Sequence, residues 1–165
     1  NQVREIQAMD AIPVKPTACS LREFFEEQED EYTVLAQQHQ LQFSMDISGV
    51  PDIQVMLDGT LVHRMIDNVI SNALRFACHE IALKAGWQEG VLTIQVYDDG
   101  AGFSEESLRS ATRPFYKENT ENDHFGLGLS ICNTLCQKQG GTLSLSNHNG
   151  ACVEMQIQAG KIDAD

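Results

Sequence analysis

The stretch DNVISNALRF, residues 67–76, is the most informative part of the chain for its fold. It lies in a predicted helix over residues 59–77, in which successive side chains are about 100° apart. Its apolar residues recur at the spacing of one buried face: Val62, Ile66, Val69, Ile70, Ala73 and Ala77. Asn68 and Asn72 lie on a second line, followed one turn later by Arg75. Paired amide oxygens suit Mg²⁺ and an arginine suits a phosphate oxygen, although a solvated helix face is the alternative interpretation.

A second cluster follows a predicted strand over residues 91–98, with the sequence VLTIQVYD. Its alternating apolar residues should face the core: Leu92, Ile94 and Val96. Asp98 therefore ends an apolar row with a carboxylate, because alternate side chains lie on one side of a strand. Gly100 and Gly102 follow, and glycines allow a tight turn and the close approach of a flat ligand. A carboxylate beside such a turn can accept a hydrogen bond from the exocyclic amine of adenine. The alternative is an aspartate that caps its own turn.

A third cluster, HFGLGLS at residues 124–130, leads into a predicted apolar helix over residues 127–139. Free backbone amides at a helix N-terminus bind phosphate, and the helix dipole favours negative charge there. The sequence contains neither the lysine-bearing phosphate loop nor the dinucleotide fingerprint. A glycine-rich turn without a ligand is the alternative interpretation.

Helices and hairpins alternate along the rest of the chain. Strands are predicted at residues 12–15, 41–47, 53–57, 91–98, 142–146 and 151–157 and near Ile81, and a further helix follows Ser20. Ser20 and Glu23 have the spacing of a capping box at the start of that helix. This order predicts an α/β fold, a two-layer sandwich in which one mixed, mostly antiparallel sheet is covered on one face by three helices.

Composition excludes two classes of partner. The chain has 165 residues and a net charge of −13, which argues against binding to nucleic acid or to anionic membrane surfaces, since both require a basic patch. Five cysteines, an odd number in a chain of this size, indicate a reducing, cytosolic environment. Cys132 and Cys136 lie four residues apart on a predicted helix, and we interpret them as small core residues rather than as metal ligands.

Taken together in this order, the three clusters resemble the ATPase superfamily shared by gyrase, the heat-shock chaperone, mismatch-repair ATPases and histidine kinases, over about residues 20–157. The chain is most similar to the catalytic ATP-binding domain of sensor histidine kinases. Residues 67–76 resemble the N box of that family, residues 98–102 its G1 box, residues 113–117 its F box and residues 126–129 its G2 box. The family's G2 box usually begins with a further glycine, where this chain has His124.

The resemblance implies ATP and Mg²⁺ as cofactors and assigns roles to residues in each box. It implies that Asp98 binds the adenine amine and that Asn72 is the Mg²⁺ ligand, with Asn68 beside it. Arg75 and Lys117 would meet phosphates, so that the residues expected to act in catalysis are Asn68, Asn72, Arg75 and Lys117. The other residues expected around the nucleotide are Phe76, Gly100, Gly102, Phe115, His124, Gly126, Leu127, Gly128 and Leu129.

By this resemblance the chain is expected to transfer the γ-phosphoryl group of ATP to a histidine on a separate helical dimerisation domain, and a response regulator would receive it next. None of the chain's own histidines has the sequence context of that phosphoacceptor: His39, His63, His79, His124 and His148. Residues 1–10 are expected to be the tail of the upstream helical domain, and residues 11–165 the catalytic domain. We expect a cytoplasmic domain without direct membrane contact, in a membrane-bound parent sensor.

Two other functions remain open at this point. A hydrolytic ATPase of the same superfamily is the first, but members of that class resemble one another in a glutamate four residues before the Mg²⁺-binding asparagine, where this chain has Asn68. A degenerate nucleotide-binding module that serves only as an interaction surface is the second. The intact Asp98, Asn72 and glycines argue against it.

Overall fold

The computed structural model describes residues 11–110 and 127–163. These ranges form β1 (Thr17–Ser20), α1 (Leu21–Gln38), β2 (Gln42–Gly49), β3 (Gln54–Leu57), α2 (Gly59–Phe76), β4 (Glu80–Gln88), β5 (Val91–Asp98), α3 (Glu105–Ser110), α4 (Leu127–Lys138), β6 (Thr142–Asn147) and β7 (Ala151–Gln158). The predicted α/β sandwich is confirmed, because α1, α2 and α4 pack against one five-stranded sheet. None of the helices in the described ranges combines the length and the apolar composition that a bilayer crossing requires. The helical tail predicted for residues 1–10 lies outside those ranges.

The five-stranded sheet has the strand order β2-β4-β5-β7-β6. β2 pairs with β4 in parallel, and the three other neighbouring pairs are antiparallel. A tight turn joins β4 to β5 through Glu89 and Gly90, whose φ angles are 51° and 85°. The sheet is therefore mixed and mostly antiparallel, as the sequence predicts.

β5 is the middle strand of this sheet, and its two sides differ in burial. Leu92, Ile94 and Val96 are buried, and so is Asp98 at the end of the strand. The residues between them are only half-buried. Because side chains alternate across a strand, the carboxylate of Asp98 lies on the same side of the sheet as the apolar row.

α2 contacts both α1 and α4 and lies between them in the helical layer. Asp58 caps its N-terminus by accepting a hydrogen bond from the Leu61 amide at 3.1 Å. The buried face of α2 consists of Leu61, Val62, Met65, Ile66, Val69, Ile70 and Ala73. Burying each larger apolar side chain contributes about 1.5–3 kcal/mol, so this face holds α2 on the sheet. Ala77, which the sequence places on the same face, is the C-cap residue and is half-buried.

A small second sheet, which the sequence analysis did not predict, pairs β1 with β3 in antiparallel. Residues near the C-terminus extend it on the other side of β3. The Met56 amide donates to the Gly160 carbonyl at 3.0 Å, and the Ile162 amide donates to the Gln54 carbonyl at 2.9 Å. The small sheet thus joins segments from both ends of the described chain.

Two local predictions near the start of the chain are wrong. Residues 12–15 do not form a strand, and the first strand begins at Thr17 instead, after two prolines that lack an amide donor. The Lys15 amide donates to Asp58 Oδ2 at 2.9 Å rather than to a neighbouring strand. Ser20 occupies the N-cap position of α1 but makes no side-chain capping bond, because it is also the last residue of β1.

Candidate functional site

Asn68 lies on the side of α2 that faces α4. Its side chain hydrogen-bonds the Cys132 thiol, and this thiol also donates to the Met65 carbonyl at 3.3 Å. Asn72 follows one helical turn later and is half-buried. The helix that carries the predicted asparagine pair therefore touches the helix that follows the third motif.

Both cysteines of α4 are apolar core residues, as the sequence analysis proposed. Cys132 and Cys136 are fully buried. Burial raises the pKa of the Cys132 thiol far above its ordinary value and raises the pKa of Cys136 to about 12. Both thiols stay protonated at neutral pH, whereas a metal ligand must be a thiolate.

Arg75 and Phe76 form the last turn of α2. The guanidinium carbon of Arg75 lies 5.1 Å from the centre of the Phe76 ring, within the range of a cation–π interaction. Arg75 is exposed and Phe76 is half-buried. The ring therefore holds an exposed cation at the end of α2.

Asp98 is held in place by backbone donors at the end of β5. Its Oδ1 accepts a hydrogen bond from the Gly100 amide at 2.8 Å and a longer one from the Ala151 amide at 3.4 Å. The aspartate thus caps its own turn, as one interpretation of the sequence suggested, and is also fixed by the first residue of β7. Only 7% of Asp98 is exposed, so its carboxylate is a buried acceptor with a defined orientation.

Gly100 packs directly against the end of α2. A Cβ atom at position 100 would overlap the Phe76 carbonyl oxygen and would lie 3.1 Å from Asp98 Oδ1. No other residue fits at this position without displacing backbone. The turn after β5 and the last turn of α2 are therefore in backbone contact.

Asp99 has a structural role that the sequence analysis missed. Its carboxylate accepts hydrogen bonds from the Cys78 amide at 2.7 Å and from the His79 amide at 3.0 Å. Burial alone would raise the pKa of Asp99, but the backbone donors of His79 and Cys78 outweigh burial and lower that pKa below its ordinary value. Asp99 thereby ties the segment between α2 and β4 to the end of β5.

Asn147 is a second residue that the sequence analysis missed, because it was interpreted only as part of the last hairpin. Its Oδ1 accepts from the Phe103 amide at 2.8 Å, and its Nδ2 donates to the Phe103 carbonyl at 3.0 Å. Gly102 has a φ of +87°, and a Cβ there would lie 2.8 Å from Asn147 Oδ1. The chain leaving the second motif is thus clamped to the end of β6.

The first turn of α4 combines open space with a buried hydroxyl. Leu127 is the first residue of α4, and no atom of the described part of the chain lies within 4 Å of a Cβ built on Gly128. Leu129 is buried in the core. Ser130 is only 5% exposed, and its Oγ has no hydrogen-bond partner among the described residues.

Several predicted site residues lie outside the described ranges, and their assignments stay predictions. These are Phe115, Lys117, His124 and Gly126, together with the rest of residues 113–117.

Side chains of β5, α2 and α4 have the chemistry that an adenine nucleotide with a divalent cation requires. Asp98 is a buried acceptor, and the glycine at position 100 lets the turn beside it lie directly against the end of α2. The amide oxygens of Asn68 and Asn72 are the hard donors that Mg²⁺ prefers. The Ser130 hydroxyl, which has no partner within residues 11–110 and 127–163, adds a buried polar group at the start of α4. The described residues therefore fit ATP with Mg²⁺.

Comparison with known proteins agrees with this chemistry. Residues 57–161 match the family model of histidine kinase-, DNA gyrase B- and HSP90-like ATPases. The chain is 33% identical over 124 residues to the C4-dicarboxylate transport sensor protein DctB of Pseudomonas aeruginosa, an alignment that covers 69% of the chain and 20% of DctB. It is 32% identical over 109 residues to the sensor histidine kinase component HK1 of Mycobacterium tuberculosis, with 65% of each protein covered. The chain therefore spans less than two thirds of the length of either relative.

Solved structures share the fold at lower sequence identity. Full-length ShkA in complex with AMPPNP has a TM-score of 0.80 at 18% identity, with 99% of this chain and 36% of ShkA covered. The nucleotide-free catalytic domain of the histidine kinase ThkA has a TM-score of 0.74 at 21% identity, with 87% of this chain and 97% of that domain covered. ThkA in complex with the response regulator protein TrrA has a TM-score of 0.76 at 20% identity, with 95% of this chain and 46% of the chain in that structure covered.

Proposed function

The chain belongs to the family of histidine kinase-, DNA gyrase B- and HSP90-like ATPases and is a histidine kinase catalytic domain, and we propose that it binds Mg-ATP and transfers the γ-phosphoryl group to a histidine on a separate helical dimerisation domain. On this proposal residues 11–165 are the catalytic domain and residues 1–10 are the tail of the upstream helical domain. The next acceptor is an aspartate on a response regulator.

One observation carries the proposal: the turn of the second motif and the helix that follows the third motif both contact α2, which carries the first motif. Gly100, in the turn after β5, lies against the Phe76 carbonyl at the end of α2. Cys132, in the second turn of α4, is hydrogen-bonded to Asn68 in the middle of α2. An acceptor for adenine and oxygen ligands for a cation are thereby gathered along one helix.

In the proposed mechanism Asp98 accepts a hydrogen bond from the adenine amine, and its fixed orientation selects adenine over guanine, which presents an oxygen there. Asn72 and Asn68 offer amide oxygens to Mg²⁺, which when bound supplies positive charge beside the phosphates. Arg75 and Lys117 contribute further positive charge. Backbone amides at residues 126–129 hold phosphate at the start of α4. Catalysis of this kind rests on positioning and on charge neutralisation.

The contacts of Asp67 favour transfer over hydrolysis. Hydrolysis requires a group that deprotonates water, and the amide at Asn68 cannot act as that base. The neighbouring carboxylate of Asp67 accepts a hydrogen bond from the Tyr32 hydroxyl of α1 at 2.7 Å. It is therefore directed toward α1, about 100° around the helix from Asn68.

Partners and location follow from the same assignment. ThkA, which shares this fold, has been solved in complex with a response regulator protein, and a complex of this kind is what we propose for the parent of this chain. All five cysteines are free thiols, which supports a reducing compartment such as the cytoplasm. We propose that the parent is a membrane-bound sensor and that this domain makes no direct membrane contact.

The test is transfer of label from γ-labelled ATP, with and without the parent's helical domain. The isolated chain should bind ATP but neither label itself nor release phosphate rapidly. Adding the helical domain should give an acid-labile, base-stable phosphoryl group. Asn72→Ala should abolish this labelling, whereas Ser71→Ala, a matched change at an exposed neighbour on α2, should leave it intact.

Other outcomes would point to other functions. Rapid phosphate release by the chain alone, lost in Asn72→Ala, would favour a hydrolytic ATPase. Acid-stable self-labelling would indicate a serine or threonine acceptor. If calorimetry detects no nucleotide binding, the chain is an interaction module instead.

A further inference from the structure

Three metal-ligating side chains converge between α1 and α2, away from the asparagine pair. Glu31 comes from α1, and His63 and Asp67 come from successive turns of α2. One potential ligand atom from each lies within 4.8 Å of the other two. All three side chains are partly exposed, between 39% and 48%, so an ion from solvent can reach them.

The distances in this cluster are long for hydrogen bonds and right for a shared metal ion. His63 Nε2 lies 3.4 Å from Glu31 Oε2 and 3.5 Å from Asp67 Oδ1. Nitrogen-to-oxygen hydrogen bonds are usually about 2.7–3.2 Å long. Ligand atoms in a tetrahedral zinc site with bonds of about 2.0–2.1 Å lie about 3.3–3.4 Å apart. The two separations therefore match the edges of such a tetrahedron.

The set of ligand atoms also suits a metal cation at this point. Two carboxylate oxygens approach one ring nitrogen of His63, and that nitrogen carries at most one proton. A single proton can lie along only one of these two contacts, whereas a metal ion can bind all three groups at once. A site that combines imidazole with carboxylates suits zinc and neighbouring transition metals, whereas Mg²⁺ and Ca²⁺ prefer oxygen ligands.

A buried tyrosine beneath the cluster fixes one of its members. Tyr32 is only 1% exposed, and its hydroxyl donates to Asp67 Oδ1 at 2.7 Å. A hydrogen bond of this kind to a ligating carboxylate orients it for the metal. The Tyr32 ring also lies beside the imidazole, with 6.5 Å between the ring centres of Tyr32 and His63.

We propose that Glu31, His63 and Asp67 form a site for a divalent transition metal ion, with Zn²⁺ as the expected occupant and water completing its coordination. The ion would join α1 to α2. The site is separate from the Mg²⁺ ligands of the proposed function, and its test requires no nucleotide.

The experiment is a Zn²⁺ titration of the purified chain by calorimetry, followed by thermal unfolding with and without Zn²⁺. One equivalent should bind and raise the unfolding temperature, and a large excess of Mg²⁺ should not displace it. His63→Gln should weaken binding at least about tenfold, since loss of a ligand costs no less than loss of a supporting hydrogen bond. His39→Gln, a matched change at an exposed histidine whose ring contacts the Leu35 carbonyl, should leave binding unchanged.

Cys78 has an exposed thiol and is a competing candidate ligand for Zn²⁺ among the described residues. Co²⁺ distinguishes the two sites, because thiolate ligation gives intense sulfur-to-cobalt charge-transfer bands, whereas a site made of oxygen and nitrogen ligands does not. The proposal is overturned if no Zn²⁺ binds, if His63→Gln binds as tightly as the parent, or if Cys78→Ser abolishes binding.

Discussion

The Phe76 carbonyl oxygen occupies the space in which residue 100 would carry a Cβ atom, so α2 and the turn after β5 meet backbone to backbone. Glycine at position 100 permits this contact, and no side chain mediates it. The relative position of the asparagines on α2 and the carboxylate of Asp98 depends on it. A change of one methyl group at this point therefore tests how the site is held together.

We expect Gly100→Ala to lower the free energy of unfolding by at least about 2 kcal/mol, because a methyl group forced against backbone cannot be relieved by a side-chain rotation. ATP affinity should fall with it. Urea unfolding followed by circular dichroism measures the loss in stability. Gly128→Ala is the matched control, since no atom of residues 11–110 or 127–163 lies within 4 Å of its added Cβ, and the stability of this variant should be unchanged or up to about 1 kcal/mol higher. Equal losses in the two variants would contradict the prediction.

The second prediction concerns the choice of base. The unmodified chain should bind ATP much more tightly than GTP, and Asp98→Asn should weaken ATP binding about tenfold or more, equivalent to about 1.4 kcal/mol. The asparagine oxygen can still accept from the Gly100 amide, so the unfolding midpoint should change little. Calorimetric titrations with both nucleotides measure the ratio. Equal affinities for ATP and GTP in the unmodified chain would rule out the assigned role of Asp98.

Asp99 should make stability depend on pH on the acid side. Burial raises its pKa, but the amide donors of His79 and Cys78 outweigh that effect, and the net pKa is lowered. The unfolded value is about 3.9. The ionised carboxylate therefore contributes stability above that pH, and this contribution is lost as pH falls through the lower folded pKa. Urea midpoints between about pH 4 and pH 2 should fall more steeply for the parent than for Asp99→Asn. The same slope in both proteins would contradict this.

Tyr32→Phe should destabilise the fold by about 1 kcal/mol, because it removes the hydrogen bond from the buried Tyr32 to the half-buried Asp67 while leaving the ring in place. Burial, and then the neighbouring Asp67, raise the pKa of Tyr32 well above its ordinary value, so the hydroxyl stays a donor. Tyr97→Phe is the control: its half-buried hydroxyl donates to Gln95 at 3.1 Å, and its loss should cost less than about 0.5 kcal/mol. A larger loss in the control than in Tyr32→Phe would be evidence against this account of the α1–α2 contact.

Periodic segments could be predicted from the sequence almost to the residue. α2 was expected over residues 59–77 and ends at Phe76, because its apolar face and the cap at Asp58 are both local features. Asp98 was identified because it ends an alternating row, and alternation determines the side of the sheet on which it lies.

Features that depend on distant partners could not be predicted in this way. Asn147 and Phe103 are 44 residues apart, and nothing near either residue indicates the bond between them. β1 has only four residues, too few for a period, and it forms because β3 pairs with it. The amide partners of Asp99, at residues 78 and 79, lie in a connection without regular structure, so no periodic pattern links them to Asp99. Tertiary hydrogen bonds of this kind leave no pattern in the sequence.

The small sheet around β3 has a consequence for the order of folding. β1, which is close to β3 in sequence, pairs with one edge of β3. The other edge of β3 stays unpaired until residues 160–162 form hydrogen bonds with it. During synthesis the ribosome releases the N-terminal half first, with that edge of β3 unpaired and able to template wrong pairings. Residues 160–162 emerge long after β3 and close a contact that spans most of the chain, which is slow because a long loop must be ordered before the contact forms. A short truncation at the C-terminus should therefore lower the yield of soluble protein more than it disturbs the nucleotide site.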